Sequence, residues 1–316
     1  MRTRELGSHG PEVGSIGYGA MGLSWAYGNR EGTDAEAVIN RAIDLGCTLV
    51  DTADIYGPFA NEILVGHAIR GRRDEVTLAT KCGLVLADAE TREIARDGRP
   101  EHIRDAIDGS LRRLEVDHVD LHYLHRPDPE VPIEESVGAL KEVVEAGKAK
   151  HIGLSEVTRD ELERAHRVHP ITAVQSELSL WTRDPLENGV LEFCAQNGIG
   201  FVPFSPLGRG FLTGRLERDG LEDDDARRRW PRFQREAMDA NQAIVDAVRA
   251  IAERHDAAPG QVALAWVLAQ GEHVVPIPGT KRIPYLEENV AASEVLLSSE
   301  DLHALDGLPA AVGARY

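Results

Sequence analysis

Short β-rich runs and amphipathic helical stretches alternate along almost the whole chain, and this alternation restricts the fold more than any other feature. Eight β-rich runs stand out: Ser15–Tyr18, Thr48–Asp51, Val76–Thr80, Val119–Leu124, His151–Leu154, Ala173–Gln175, Gly200–Phe204 and His273–Ile277. Most are separated by a segment of helical period. Asp34–Leu45 places Ala35, Val38, Ile39, Ala42 and Ile43 on one face and stops at Gly46. Glu101–Leu114 repeats the pattern with Ile103, Ile107, Leu111 and Leu114, and Ile133–Ala146 with Val137, Leu140 and Val144 before Gly147. Asp160–Val168 and Val190–Asn197 continue it, and Ala240–His255 is the longest. Strand, helix, strand, repeated, requires parallel pairing through right-handed crossovers. Eight such units in 316 residues fit a closed (β/α)8 TIM barrel of the α/β class better than an open sheet. An open doubly wound sheet would show GxGxxG after its first strand. Here Gly17-Tyr18-Gly19-Ala20-Met21-Gly22 has the first two glycines, but the helix starts only near Thr33, so the segment reads as a turn.

Two features interrupt the rhythm. Thr3–Leu6 and Glu12–Ser15 flank Gly7-Ser8-His9-Gly10-Pro11 and predict an N-terminal β-hairpin that could plug the N-terminal mouth of the barrel. Ser205–Asp239, after the seventh strand, is a long loop, and such loops in a compact domain are usually functional. No linker composition appears, so residues 1–316 are expected to form a single barrel domain.

The net charge of −18 argues against a nucleic-acid backbone as partner. Neither a signal-peptide pattern nor an apolar run of membrane-spanning length is present, and a cytoplasmic protein without membrane contact is expected. Cys47, Cys82 and Cys194 form neither a CxxC nor a zinc pattern, so buried free thiols and no metal are expected.

In such a barrel the chemistry lies where strand C-termini meet their loops. The second strand ends Asp51-Thr52-Ala53-Asp54-Ile55-Tyr56-Gly57, the third ends Ala79-Thr80-Lys81, and the fourth runs Asp120-Leu121-His122-Tyr123-Leu124-His125-Arg126-Pro127. A carboxylate, a phenol, an ammonium and an imidazole therefore converge from three consecutive strands. A nearby cation favours phenolate and lowers a tyrosine's pKa. Asp51 can hold Lys81, and His125 can steer a carbonyl oxygen toward Tyr56, an arrangement suited to protonating an alkoxide as it forms. Strand alternation sends His122 and His125 to opposite faces, with His125 the inward one.

These residues carry a resemblance. The chain is similar over essentially its whole length to the aldo-keto reductase superfamily, and specifically to its bacterial and plant NADPH-dependent branch with a GTKR segment. The resemblance rests on Asp51–Gly57, Lys81, Asp120–Pro127, Gly153-Leu154-Ser155, Gln175, Pro203–Gly214 and Pro276–Arg282. It implies Asp51, Tyr56, Lys81 and His125 as the catalytic tetrad and NADPH/NADP+ as cofactor. It further implies cofactor contacts from Gly19, Met21, Asp51, Ser155, Gln175, Phe204, Ser205, Leu207, Gly208, Arg209 and Gly210, with Phe204 in the nicotinamide-stacking place usually held by tyrosine. Glu156 stands where many members have the asparagine that holds the carboxamide.

The phosphate end can also be read from the residues. Gly279-Thr280-Lys281-Arg282 precedes a helix, whose N-terminus adds amide donors for an anion such as a 2′-phosphate. Without the resemblance, Lys281 and Arg282 read equally well as solvated charges. Glu288 and Asn289 lie a turn further on, within reach of an adenine. Trp25, Tyr56, His125, Arg126, Trp181 and Trp230 are expected around a carbonyl substrate. The charged runs Glu222–Asp225 and Arg227–Arg229 predict a solvated, mobile loop that closes over the cofactor.

The leading expectation is an NADP-dependent oxidoreductase that reduces aldehyde or ketone carbonyls to alcohols, with Tyr56 as general acid. Two alternatives stand beside it. One is a redox-sensing regulatory subunit, as in the potassium-channel β-subunit branch of the same superfamily. The other makes Lys81 a Schiff-base nucleophile, which the neighbouring Asp51 opposes by keeping it protonated.

Overall fold

The computed structural model describes residues 1–25, 27, 32–88, 93–223 and 225–315. An antiparallel hairpin of β1 (Thr3–Glu5) and β2 (Glu12–Gly14) opens the chain. Seven parallel strands follow in one sheet: β3 (Tyr18–Gly19), β4 (Leu49–Asp51), β5 (Thr77–Cys82), β8 (Val119–Leu124), β9 (Ala149–Ser155), β10 (Ala173–Glu177) and β11 (Gly200–Phe204), each beside its neighbour in sequence order.

The eighth expected strand, His273–Ile277, is irregular but occupies the closing position. It pairs in parallel with β11 through Phe201 N–H to His273 O (2.8 Å), Val275 N–H to Phe201 O (2.8 Å) and Ile277 N–H to Pro203 O (3.0 Å). On its other side Pro276 O accepts from Gly17 N–H at 2.9 Å. Pro276 and Pro278 remove two donors, which is why the segment closes the barrel without forming a full ladder.

Helices α1 (Ala35–Asp44), α2 (Ala60–Ala68), α3 (Pro100–Leu114), α4 (Ile133–Glu145), α5 (Arg159–Val168), α6 (Asp184–Glu187), α7 (Val190–Gln196), α8 (Arg235–Arg254), α9 (Pro259–Leu268), α10 (Ile283–Ala291) and α11 (Ser299–Asp306) complete the fold. Local signals set several ends. The Asp34 carboxylate caps α1 by accepting from Ala37 N–H (3.0 Å), and Thr158 with Glu161 forms a capping box on α5. Two helices escape a periodicity reading. The sequence of α2 has no clean apolar stripe, and α9 is buried along nearly its full length, so neither shows one wet face. A second hairpin, β6 (Leu84–Asp88) with β7 (Glu93–Arg96), rises from the end of β5 and was likewise not expected.

Two layers of apolar packing result. Inside the barrel, Leu49, Ala79, Leu121, Tyr123, Ala173, Val202, Val275 and Ile277 meet Leu6 and Val13 of the first hairpin. Ser8 N–H donates to Gly198 O at 2.7 Å, just before β11, so the hairpin seals the N-terminal ends of the strands as expected. The outer layer joins the strands to the helices.

The segment after β11 is more structured than a wholly solvated loop. It carries four short 3-10 turns, Gly208–Thr213, Arg218–Gly220, Ala226–Arg229 and Pro231–Phe233, before α8 starts at Arg235. Phe211, Leu212, Leu221 and Phe233 are buried and anchor it. Asp225, expected in a solvated run, is only 2% exposed and pairs with Arg227 at 2.7 Å; Asp224 lies outside the described residues.

Candidate active site

Strand ends bring the four predicted catalytic side chains together. Asp51 is the last residue of β4, Lys81 lies next to the end of β5, and His125 follows β8 directly. Tyr56 arrives on the loop between β4 and α2. Lys81, fully buried, donates through Nζ to Asp51 Oδ1 (2.5 Å), Thr52 O (2.8 Å) and Tyr56 Oη (3.3 Å). All three ammonium protons thus have acceptors. The second Asp51 oxygen accepts from Gln175 Nε2 at 2.8 Å. The Tyr56 ring lies 5.6 Å from His125, edge-on, and 5.9 Å from Trp25.

Electrostatics assign each group a protonation state. Burial pulls the Lys81 ammonium down, but Asp51 and Tyr56 outweigh it, and Lys81 ends above the usual lysine value, firmly protonated. For Tyr56 the balance differs from the sequence expectation. Burial raises the phenol above its ordinary value, and Lys81 and Arg126 only partly pull it back. Tyr56 is therefore a protonated phenol at neutral pH, the form an acid needs. Burial, with the Lys81 and Arg126 charges, holds His125 well below the ordinary imidazole value, so it is neutral. His122 lies on the opposite face of β8, fully buried, and burial pushes it down to about 4.

A polar knot behind the site fixes this loop. At the start of α2, fully buried Asn61 accepts from Thr52 Oγ1 (2.6 Å) and donates to Ala20 O (2.9 Å) and Ser24 Oγ (2.7 Å). Its neighbour Glu62 accepts from Thr80 Oγ1 and Arg113 Nε, each at 2.6 Å. Neither residue was singled out from the sequence; the only available signal was an Asn-Glu pair in the first turn of a helix that periodicity did not reveal.

In front of these groups lies a cavity of about 650 Å³. Its wall includes the predicted site residues Gly19, Met21, Trp25, Asp51, Tyr56, His125, Arg126, Gln175, Phe204, Ser205, Leu207, Arg209, Gly210, Trp230, Gly279, Thr280, Lys281, Arg282, Glu288 and Asn289. Four others stand off the wall. Lys81 is buried behind Tyr56, and Ser155 is buried and accepts from Arg126 at 2.9 Å. Gly208 is buried. Trp181, expected beside the substrate, instead stacks on Phe211 at 4.2 Å and serves to hold the segment after β11. Sequence reading missed Ile55, Leu84, Ile94, Leu216, Arg215, Arg227 and Tyr285 on the wall. Leu84 and Ile94 come from the unexpected second hairpin.

Glu156 takes no part in the cavity. One of its oxygens accepts from Glu177 N–H (2.9 Å) and the other from Arg315 (2.8 Å), while Glu177 pairs with Arg209 at 2.8 Å. The C-terminal tail is thereby tied to β9 and β10. Arg209 lies over the Trp230 ring at 4.2 Å.

A dinucleotide cofactor suits these walls. Gly19 and Gly279 pass so closely that a Cβ on Gly279 would stand 2.6 Å from Gly19 O, so the two backbones can line the floor only as glycines. Near Tyr56 the wall offers an aromatic face at Phe204 and an amide at Gln175. The wall also carries Lys281 and Arg282 just ahead of α10, with Glu288 and Asn289 within it, a set of cations and polar groups suited to phosphate and base. Among the described residues no cluster could hold a metal ion.

A barrel with a phenol, an ammonium, a carboxylate and a neutral imidazole at the C-terminal ends of its strands defines a class of carbonyl oxidoreductase. Residues 15–309 match the aldo/keto reductase family, and the chain belongs to it. It is 46% identical to a probable aldo-keto reductase 1 of Glycine max over 99% of this chain and 91% of that protein. Among solved structures, a glycerol dehydrogenase of Gluconobacter oxydans superposes with a TM-score of 0.87 at 28% identity, covering 96% of this chain and 94% of that one. An aldo/keto reductase of Klebsiella pneumoniae in complex with NADP and acetate superposes with a TM-score of 0.73 at 26% identity, covering 97% and 95%. Among the described residues, no helix is long and apolar enough to cross a membrane.

Proposed function

We propose that this chain is an NADPH-dependent reductase of aldehyde or ketone carbonyls, with Tyr56 as the general acid. The observation that carries the reading is the Lys81 ammonium held by Asp51 and placed 3.3 Å from the Tyr56 hydroxyl at the cavity floor. The match to the aldo/keto reductase family and the Klebsiella pneumoniae relative's complex with NADP support the cofactor. Phe204, Gln175, Gly19, Met21, Ser205, Leu207, Arg209 and Gly210 would hold the nicotinamide and pyrophosphate, and Gly279–Arg282 with Glu288 and Asn289 the adenosine phosphate. A bound nicotinamide supplies the hydride for the carbonyl carbon.

The chain's own residues do the rest. Neutral His125 donates a hydrogen bond to the carbonyl oxygen and fixes its approach to Tyr56. Tyr56 releases its proton to that oxygen as negative charge builds there, and Lys81 stabilises the phenolate left behind. Asp51 keeps Lys81 charged and aimed. The same pairing opposes a Schiff-base role, which needs an unprotonated amine. The complete set of proton-handling groups favours turnover over a purely regulatory role.

The test is consumption of NADPH, with NADH in parallel, against a panel of aldehydes and ketones. Tyr56→Phe is expected to abolish reduction, a loss of about 10²–10⁴-fold, and to leave NADPH affinity nearly unchanged. Turnover near that of the native protein in Tyr56→Phe would remove the acid assignment.

A further inference from the structure

Arg126 has a position that the proton chemistry alone does not use. It follows His125 directly and lines the cavity. One terminal nitrogen, NH1, is occupied by His125 O (2.6 Å) and Ser155 Oγ (2.9 Å). The other terminal nitrogen and Nε have no hydrogen-bond partner among the described residues, and Arg126 forms no ion pair there. Its neighbours on the wall differ. Arg209, Arg215 and Arg227 are each committed to a carboxylate, Glu177, Glu288 and Asp225 respectively. The guanidinium lies 5.8 Å from the Phe204 ring, and its charge reaches the reacting groups, adding to the fall of His125 and opposing part of the rise of Tyr56.

We propose that Arg126 anchors an anionic group of the substrate, so that the preferred substrates are carbonyl compounds carrying a carboxylate close to the reacting carbon. The proposal rests on the reductase reading above and names the substrate class for that site. Three physical points support it. A guanidinium presents paired donors that match a carboxylate. With NH1 already fixed by Ser155 and the His125 carbonyl, the remaining donors are pre-oriented rather than free to swing. Water can satisfy them before substrate enters, but a substrate that expels this water must replace its hydrogen bonds. A neutral analogue leaves the donors unpaired, and sites built around buried hydrogen-bond donors discriminate strongly for that reason. The rest of the wall, with Trp25, Ile55, Leu84, Ile94 and Trp230, suits an apolar remainder. The carboxylate is untouched by the reaction. The carbonyl gains a hydride at carbon and a proton at oxygen, and the product is the corresponding hydroxy acid.

The experiment compares acids with their methyl esters in two series. Phenylglyoxylate and its ester place the carboxyl group next to the carbonyl, and 4-carboxybenzaldehyde and its ester place it across a ring. Acid and ester differ in intrinsic reactivity, so the quantity read is the change in their kcat/KM ratio between native protein, Arg126→Met and Arg126→Gln. The expected result is a ratio that falls by about 10–100-fold in both variants, the range of a charged hydrogen bond. The larger fall should come in the phenylglyoxylate series. Equal losses for acid and ester would mean that Arg126 serves only the charge at Tyr56, and would overturn the proposal, as would an unchanged ratio. Calorimetry of benzoate binding to the cofactor-free protein gives a readout independent of turnover, with binding expected to weaken at least tenfold in Arg126→Met. Benzoate affinity that is the same in native and variant protein overturns the anchor. Benzoate binding that depends on Arg126, in a protein that turns over none of the four carbonyls, keeps the anion site and sinks the reductase reading instead.

Discussion

Replacing Lys81 by methionine probes the centre of the site most directly. Methionine keeps the length of the stem and removes three donated hydrogen bonds, to Asp51, Thr52 and Tyr56. A unit charge 3.3 Å from a phenolate oxygen contributes about 5 kcal/mol at an effective dielectric of about 20. Only part of that charge has developed in the transition state, so kcat for carbonyl reduction should fall by ~10³-fold, within the range of general acid catalysis. NADPH affinity should barely move, since Lys81 does not line the cavity wall. Stability should suffer as well. Asp51, 3% exposed, would keep Gln175 alone as a side-chain partner, and breaking a buried pair typically costs ~3–5 kcal/mol. The sign with pH follows from burial. Asp51 is raised even in the native protein, because burial outweighs Lys81, and without Lys81 it rises further. A raised carboxylate loses stability as pH climbs through its folded pKa, so the deficit of the variant should grow with pH and shrink in acid. Thermal melts across pH, beside single-turnover kinetics and a cofactor titration, provide the assay. A variant that retains kcat within tenfold of the native value would refute the role of Lys81 in tuning Tyr56. A stability deficit independent of pH would refute the account of Asp51.

Arg282→Ala should weaken NADPH by about 10–100-fold, the range of a charged hydrogen bond, and NADH little; equal losses for both in a fluorescence titration would remove the 2′-phosphate site. Burial, with Glu62 close by, pushes Asp54 up to about 8. Its folded pKa is thus raised, so stability should decline as pH rises from about 4 to about 8. Asp54→Asn should raise the melting temperature at neutral pH and flatten that slope; an unchanged slope in urea melts would count against it. Hydrogen exchange on peptides covering 207–235 should show protection at Phe211, Leu212 and Phe233 before any cofactor is added, because these side chains are buried. Free exchange there would contradict the anchoring seen at Trp181.

Much of this architecture is legible in the residues themselves. Wherever a helix has one wet face, as in α1 or α3, its apolar period is written directly into the sequence. The tetrad is legible for a related reason: each member sits at or just past a strand end, and strand alternation alone separates His125 from His122. Period fails where both faces are dry, as in α9, and where a segment contacts mainly the loops above the barrel, as in the β6–β7 hairpin that brings Leu84 and Ile94 to the cavity. Residue type alone also fails for partners far apart in the chain. Glu156 reads as a possible ligand until Arg315, 159 residues away, is seen to occupy it. Trp181 reads as pocket wall until Phe211 covers it. Asp225 reads as solvated, as Glu222 and Asp223 are, until it is found buried and paired with Arg227.

The sequence by itself determined the alternating βα order, the sealing hairpin and which polar side chains meet at the strand ends, because those depend on local period and on side-chain chemistry. Only the tertiary structure decided which cation belongs to which carboxylate, that Tyr56 rests as a phenol and that Arg126 keeps open donors. Burial and distance set the energy of a charge, and neither exists until segments remote in sequence have packed against each other.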